Sequence, residues 1–403
     1  MKTIISDFSL KSLLTLRYDP SNKPEFEPRK PRDFEKIHHD NPTEDFLNVI
    51  KNYMSYKREN TNFDKVVLSL SSGIDSGLTL VLLKEIIPDI EISCLTAGYA
   101  DEDTKRAEEL AYLYDCDFEV INKEKVLEDL PKIINIIKEP RWNVYNFYLF
   151  EYGKKISNKF FTGDGGDELF GGYDFRYKKF LSTIQKSSGW IEKTKAYLDC
   201  HIRDWVPDQH KIFGEKIKFS WQEIYEIFRN NFDNKLQPLN QVFLSDFNGK
   251  LLYDWIPTNK KFKEFLNVEI ESVFLNNNSI DFATHLDWKE KYEIKSNQGK
   301  ILIRKLLRNY KGFENYEPIK KGFSINLQQL WKNEGKELVE YYLDPLSSVL
   351  VKENIISKDW ISKWIKSKNK LDCRYINKLL QILSLEIWYR LYNTRQLNAN
   401  DKL

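Results

Sequence analysis

The run Val66-Val67-Leu68-Ser69-Leu70 ends in the small-residue turn Ser71-Ser72-Gly73, and Ile74-Asp75-Ser76 opens directly into the helix-compatible segment Gly77 to Ile87. A buried strand, a phosphate-sized turn and a helix start, in that order, define a βα unit of a helix-covered sheet. Such a turn aims backbone N–H groups and the positive end of a helix dipole at an anion. Its small residues let the backbone come close, and Ser71 and Ser76 add hydroxyl donors. No Gly-Lys-Ser/Thr is present, so this is not the loop that grips a γ-phosphate with a lysine. Asp75 makes sense at an anion site if it holds Mg²⁺, which then bridges to pyrophosphate. The chemistry expected is cleavage between the α- and β-phosphates of ATP.

A second strand end, Lys159-Phe160-Phe161-Thr162, runs into Gly163-Asp164-Gly165-Gly166-Asp167-Glu168-Leu169-Phe170-Gly171-Gly172-Tyr173. So many glycines and acids together predict a flexible acidic loop beside a sheet end, where doubly wound folds place ligands. Asp167 is the second carboxylate expected on the same Mg²⁺. The stretch lacks the alternating oxygen ligands and closing glutamate of a calcium hand.

The first loop resembles the S-G-G-x-D-S motif of the ATP-pyrophosphatase superfamily, with Ser72 replacing one glycine. The second matches G-[DE]-G-[GS]-D-E-x-x-G-G-Y, from the synthetase domain of the asparagine synthetase family, at every position from Gly163 to Tyr173. Further similarity follows: Thr96 at the second strand end, Glu102-Asp103 with Ala107, Glu139-Pro140, Gly299-Lys300 to Arg304, Lys320 to Phe323, and Leu385-Glu386-Ile387-Trp388. The resemblance runs from about Asp64 to Tyr392. It implies ATP and Mg²⁺ as cofactors, held by Leu70, Ser71, Ser72, Gly73, Asp75, Ser76, Gly163, Asp164 and Gly165, with adenine against Leu95 and Thr96. Lys300 and Lys320 would contact the phosphates, and Asp75 and Asp167 would take the metal. For catalysis it implies a glutamate base, aligned with Glu269, and a lysine for the oxyanion, aligned with Lys320. Around Glu269 the family's E-x-R-x-P-F-L-D has become Glu269-Ile270-Glu271-Ser272-Val273-Phe274-Leu275-Asn276, so spacing and Phe274-Leu275 carry that alignment. Asn143 stands where the family usually has an aspartate.

The strand-and-helix alternation from Phe63 to Tyr173 predicts an α/β fold: a doubly wound parallel sheet of the adenine nucleotide alpha hydrolase or ATP-pyrophosphatase type. Strands are expected at 66–70, 91–95, 118–121 and 159–162, and helices at 76–87, 103–114, 125–137 and 144–158. Residues 1–62 read as a proline-punctuated linker and 63–403 as the synthetase-like domain, with an α/β core at 63–175 and a mostly helical part at 176–403. Lys300, Arg304 and Arg308 fall at helical spacing and predict one basic helix face.

A charged fraction of 30% and a formal charge of +2 over 403 residues exclude nucleic acid as an obvious partner. No apolar run reaches membrane-spanning length, and Cys94, Cys116, Cys200 and Cys373 form no ligand-spaced pairs, so a cytoplasmic protein is expected. Residue 2 is Lys2, and the stretch before the first loop is too short for the glutaminase domain of full-length relatives. The resemblance therefore implies that ammonia or an amine comes from outside, with a separate glutaminase subunit as one source. The expected function is an ATP-dependent amide-forming ligase acting on a small-molecule carboxylate, aspartate by default. Alternatives are an amide synthetase for a sugar carboxylate or for closing a lactam or peptide ring, a tRNA-modifying pyrophosphatase-loop enzyme, and a non-catalytic partner subunit.

Overall fold

The computed structural model describes residues 5–61, 63–98, 102–314, 316, 326–367 and 371–403. Two helices, α1 (Asp7–Leu16) and α2 (Pro42–Asn60), precede strand β1 (Lys65–Ser69). There follow α3 (Ile74–Ile86), β2 (Glu91–Ala97), α4 (Glu102–Leu113), β3 (Asp117–Ile121), α5 (Leu130–Ile137), α6 (Asn146–Gly153) and β4 (Lys159–Thr162). All strands of the five-stranded sheet are parallel, in the order β3-β2-β1-β4-β5, where β5 is Glu269–Ser272. The order reverses direction between β1 and β4, so the loops after these two strands open a crevice at their C-terminal ends.

The two-residue period of each strand sorts its side chains between two helical layers. Val66, Leu68 and Leu70 join the core made with α2, α3 and α4, whereas Val67 and Phe160 join the core made with α5, α6 and the last long helix, Cys373–Tyr392. The segment before β1 is built into both layers. Leu10 and Leu14 of α1 pack in the second core, and Phe46, Ile50 and Met54 of α2 in the first. No described helix is long and apolar enough to cross a membrane.

Several elements depart from the sequence reading. Helix α5 begins at Leu130, with Pro131 in its first turn, where a missing N–H costs nothing. The preceding Val126 and Leu127 instead donate their N–H groups to the Glu334 carboxylate at 3.1 and 2.9 Å. β5 lies in a region read as helical. Its four residues hold one aliphatic side chain between acids, too little for a two-residue period to register. Glu271, at the position of the family's arginine, there binds α2 through the Tyr53 hydroxyl and the Lys57 ammonium at 2.8 Å. The acidic loop is partly helical: α7 (Gly166–Phe170) is capped on each side by glycines with φ of 90° and 75°, and it drives Leu169 and Phe170 into the core. α8 (Asp174–Thr183) follows. Cys94 and Cys116, far apart in sequence, meet as free buried thiols on β2 and before β3, in hydrogen-bonding contact.

Candidate active site

The turn after β1 is held by its own serines. The Ser71 hydroxyl accepts the Gly73 N–H at 3.1 Å and lies 3.2 Å from the Ser76 hydroxyl, which also reaches the Gly73 carbonyl. Ser72, where the superfamily has glycine, is buried, and its hydroxyl donates to Asp103 at the start of α4. The second loop crosses this turn at very close range. A Cβ at Gly166 would collide with the Asp75 carboxyl group, and one at Gly172 with Asp167 and Lys300. Glycine at these two positions is a steric requirement. Asp164 is anchored by Thr162 and Asn259 at 3.0 and 2.8 Å, and burial pushes its carboxyl above the usual range.

The close crossing brings Asp75 and Asp167 to one point, occupied by the Lys300 ammonium, which pairs with Asp75 and lies 2.6 Å from Asp167. Burial alone would lower the Lys300 pKa; the two carboxylates outweigh it and raise it. Lys300 does not share a helix face with Arg304 and Arg308, as its spacing predicted. It sits ahead of the helix Ile301–Leu307 at φ 58°, a left-handed conformation that side-chain-bearing residues adopt only under constraint. Arg304 reaches the same cavity and donates to the Gly299 carbonyl at 3.0 Å, while Arg308 is exposed.

A divalent ion fits this donor set. The two carboxylates converge where a cation is favoured, and no third acidic, histidine or cysteine ligand joins them among the described residues. That leaves oxygens of phosphate and water to complete the shell, as Mg²⁺ prefers.

These groups line a cavity of about 410 Å³ at the switch point, together with Leu70, Ser71, Ser72, Gly73, Ser76, Gly163 and Gly165. Leu95 and Thr96 stand one strand over, buried, with the Leu95 carbonyl bonded to the Leu70 N–H at 2.9 Å, outside the cavity lining. Glu269 is elsewhere. It opens β5 opposite Lys159, the first residue of β4, and forms an ion pair with it. Ser272, three residues on, marks the cavity end by bonding the Asp164 carbonyl at 2.6 Å. Glu269 is therefore roughly 10 Å back along the strand, at the opposite end of the sheet. The Lys320–Phe323 turn, and the Lys320 assignment with it, lies outside the described residues.

The cavity also holds groups that sequence reasoning passed over. Glu168 lies within the quoted motif yet drew no role. Its burial and the neighbouring Asp167 charge push its carboxyl up to about 7, although the Tyr173 hydroxyl donates to it at 2.5 Å. Arg17, Arg176, Lys250, Leu251 and Trp255 form a further wall. The last three belong to a π-helical stretch, Phe247–Trp255, a rare geometry that often marks functional sites. Asn143 lines a separate small pocket behind Arg17.

The parallel sheet, the paired glycine loops and the carboxylate pair at the switch crevice are those of a doubly wound α/β protein with one site at its strand ends. The sequence model described as asparagine synthase matches residues 55–390, and the chain belongs to that family. No curated protein matches it. Among solved structures it is similar to the U34-tRNA thiolase NcsA from Methanococcus maripaludis with its 4Fe-4S cluster, at 14% identity, covering 71% of this chain and 88% of that one. The TM-score of 0.25 gives that likeness no weight in the functional argument.

Proposed function

We propose that this chain adenylates a small carboxylic acid with ATP, releases pyrophosphate, and transfers ammonia or an amine to the acyl group. The observation that carries the reading is the convergence of Asp75 and Asp167, from two different loops, on a single cation point. An acceptor carboxylate oxygen attacks the α-phosphorus, and the bond to pyrophosphate breaks. Nitrogen then attacks the acyl carbon, AMP leaves, and the nitrogen gives up a proton. Mg²⁺, when bound at Asp75 and Asp167, offsets charge on the phosphates. Lys300, which pairs with these carboxylates, would give way to the ion and supply a positive charge beside it to the departing pyrophosphate. Lys320 is assigned by resemblance to the oxyanion that forms on the acyl carbon.

For the base we favour Glu168 over Glu269. Glu168 lines the cavity and burial holds its carboxyl above the usual range, whereas Glu269 is not among the cavity-lining residues and pairs with Lys159 at the far end of β5. Aspartate is the default acceptor and ammonia the default nitrogen source. The test is exchange of labelled pyrophosphate into ATP, and amide formation, with Mg·ATP and aspartate plus either ammonium chloride or glutamine. Acid-dependent exchange and an amide from ammonium alone support the reading; ATP hydrolysis indifferent to any carboxylic acid contradicts it.

A further inference from the structure

The acidic loops supply the cavity with carboxylates, and the opposite wall supplies cations. Arg17 and Lys250 both approach the buried Asp204 carboxylate, each at 3.3 Å. Arg176 lies 3.8 Å from Asp246 and stacks over the Tyr173 ring at 3.8 Å. Tyr173 is the residue whose hydroxyl binds Glu168. Three cations thus face the cavity around two carboxylates behind them, and His201 adds no charge because burial, then Arg176, holds its pKa well below the ordinary value. Nε of Arg176 is buried with no hydrogen-bond partner among the described residues, and Nη1 has only the Asp246 carboxylate, at 3.8 Å and beyond hydrogen-bonding distance. Guanidinium nitrogens in that condition are costly unless an anion completes them.

Arg17 is placed there deliberately by the fold. It caps α1 at φ 73°, in the left-handed region that glycine usually fills, with its N–H on the Leu13 carbonyl at 3.1 Å. The end of α1 is pinned by the buried Lys378, which donates to the Leu14 carbonyl, and by Gln209, which donates to the same carbonyl at 2.9 Å. Arg17 also lies ahead of residues 55–390, so it is supplied from outside the span that defines the family.

We propose that Arg17, Lys250 and Arg176 form an anion subsite that selects acceptors carrying a second negative group besides the carboxylate that is adenylated. The proposal rests on the ligase reading and names its substrate class: small dianionic acids, carboxylate or phosphate at the far end. Peptide and simple monocarboxylic acceptors leave Nε of Arg176 without a hydrogen-bond acceptor and are poor substrates.

The experiment uses the full chain in two assays. Pyrophosphate exchange is measured with aspartate, succinate and 3-phosphoglycerate against butyrate and a C-terminal dipeptide acid, and succinate binding is measured by calorimetry. Arg17→Gly is the main variant, since glycine suits φ 73° and the fold is kept; Arg17→Lys retains the charge. We expect exchange from at least one dianion, weak exchange from the monoanions, and a KM for the dianion raised about 10- to 100-fold in Arg17→Gly, the worth of a charged hydrogen bond. The ATP KM stays unchanged, and Arg17→Lys recovers part of the loss. Equal use of monoanions, or an ATP KM that rises in parallel with that of the acid, overturns the proposal while leaving the ligase intact. Succinate binding that depends on Arg17 without exchange from any acid supports the subsite and contradicts the ligase. Neither exchange nor succinate binding overturns the subsite.

Discussion

One wall of the cavity is built mainly from two continuous stretches, Leu70–Ser76 and Gly163–Gly172, with Lys300 joining from just ahead of the helix Ile301–Leu307; on the other, Arg17, Arg176 and Lys250 arrive from widely separated elements. The first wall is made of backbone turns, and its chemistry depends on glycine at fixed positions and on carboxylates a set distance from a strand end. The second is made of side chains whose positions depend on how α1, α8 and the π-helical stretch pack together. Under the proposed function the first would hold what all substrates of such an enzyme share, pyrophosphate and metal. The second suits what distinguishes one acceptor from another.

The strongest way to break this comparison is through Glu168, which lies between the two walls. Glu168→Gln should lower amide formation roughly a hundred- to ten-thousand-fold, the range for a lost general base. In the unsubstituted chain amide formation should rise with pH as Glu168 ionises, a step that Glu168→Gln removes. Stability should respond in the opposite sense. The folded-state pKa is raised, so between the ordinary glutamate value and about 7 the folded chain binds more protons than the unfolded one and loses stability as pH rises. Glu168→Gln should therefore be more stable than the parent at pH 8, by on the order of 2 kcal/mol, read from denaturant midpoints.

Gly166→Ala tests the turn-built wall. The added Cβ meets the Asp75 carboxyl group, so we expect a folded but less stable protein, by about 1–3 kcal/mol, with adenylation disproportionately impaired. Undiminished pyrophosphate exchange would show that the two loops need not cross so closely. Lys300→Met should weaken pyrophosphate binding about 10- to 100-fold in exchange assays, since it removes a charged partner of the phosphates. Glu269→Gln is expected to do least. It breaks a partly exposed ion pair with Lys159, worth at most about 1 kcal/mol, and should leave product formation intact. A collapse of activity there would return Glu269 to the catalytic role that alignment suggested.

The difference between the walls also explains what could be read from the chain alone. The alternation of strands and helices up to Tyr173 gave β1 to β4 within a residue or two, because β1, β2 and β4 centre on apolar runs, β3 mixes acids with Phe118, Val120 and Ile121, and turn residues bound them. Both glycine loops were visible because their pattern is written in consecutive residues. β5 was hidden by its brevity, and with it the end of the sheet on which Glu269 sits. Lys300 was read at helical spacing because nothing local announces a left-handed residue before Ile301. Arg17 lay in a segment that read as linker, since its role depends on α1 packing against the last long helix and not on neighbours in sequence. Lys250 and Arg176 gave no signal at all: a lysine and an arginine in helical segments ordinarily face solvent, and only tertiary packing turns them inward.

Whether Asp75 and Asp167 hold one metal-bound pyrophosphate between the two loops is decided by exchange of labelled pyrophosphate into ATP at saturating aspartate in Asp75→Asn and Asp167→Asn. Both variants should stay folded while exchange falls on the order of a hundred- to thousandfold in each, with the double variant little worse than either single one because the pair acts as a unit. Exchange at near the parent rate in Asp167→Asn would contradict that arrangement.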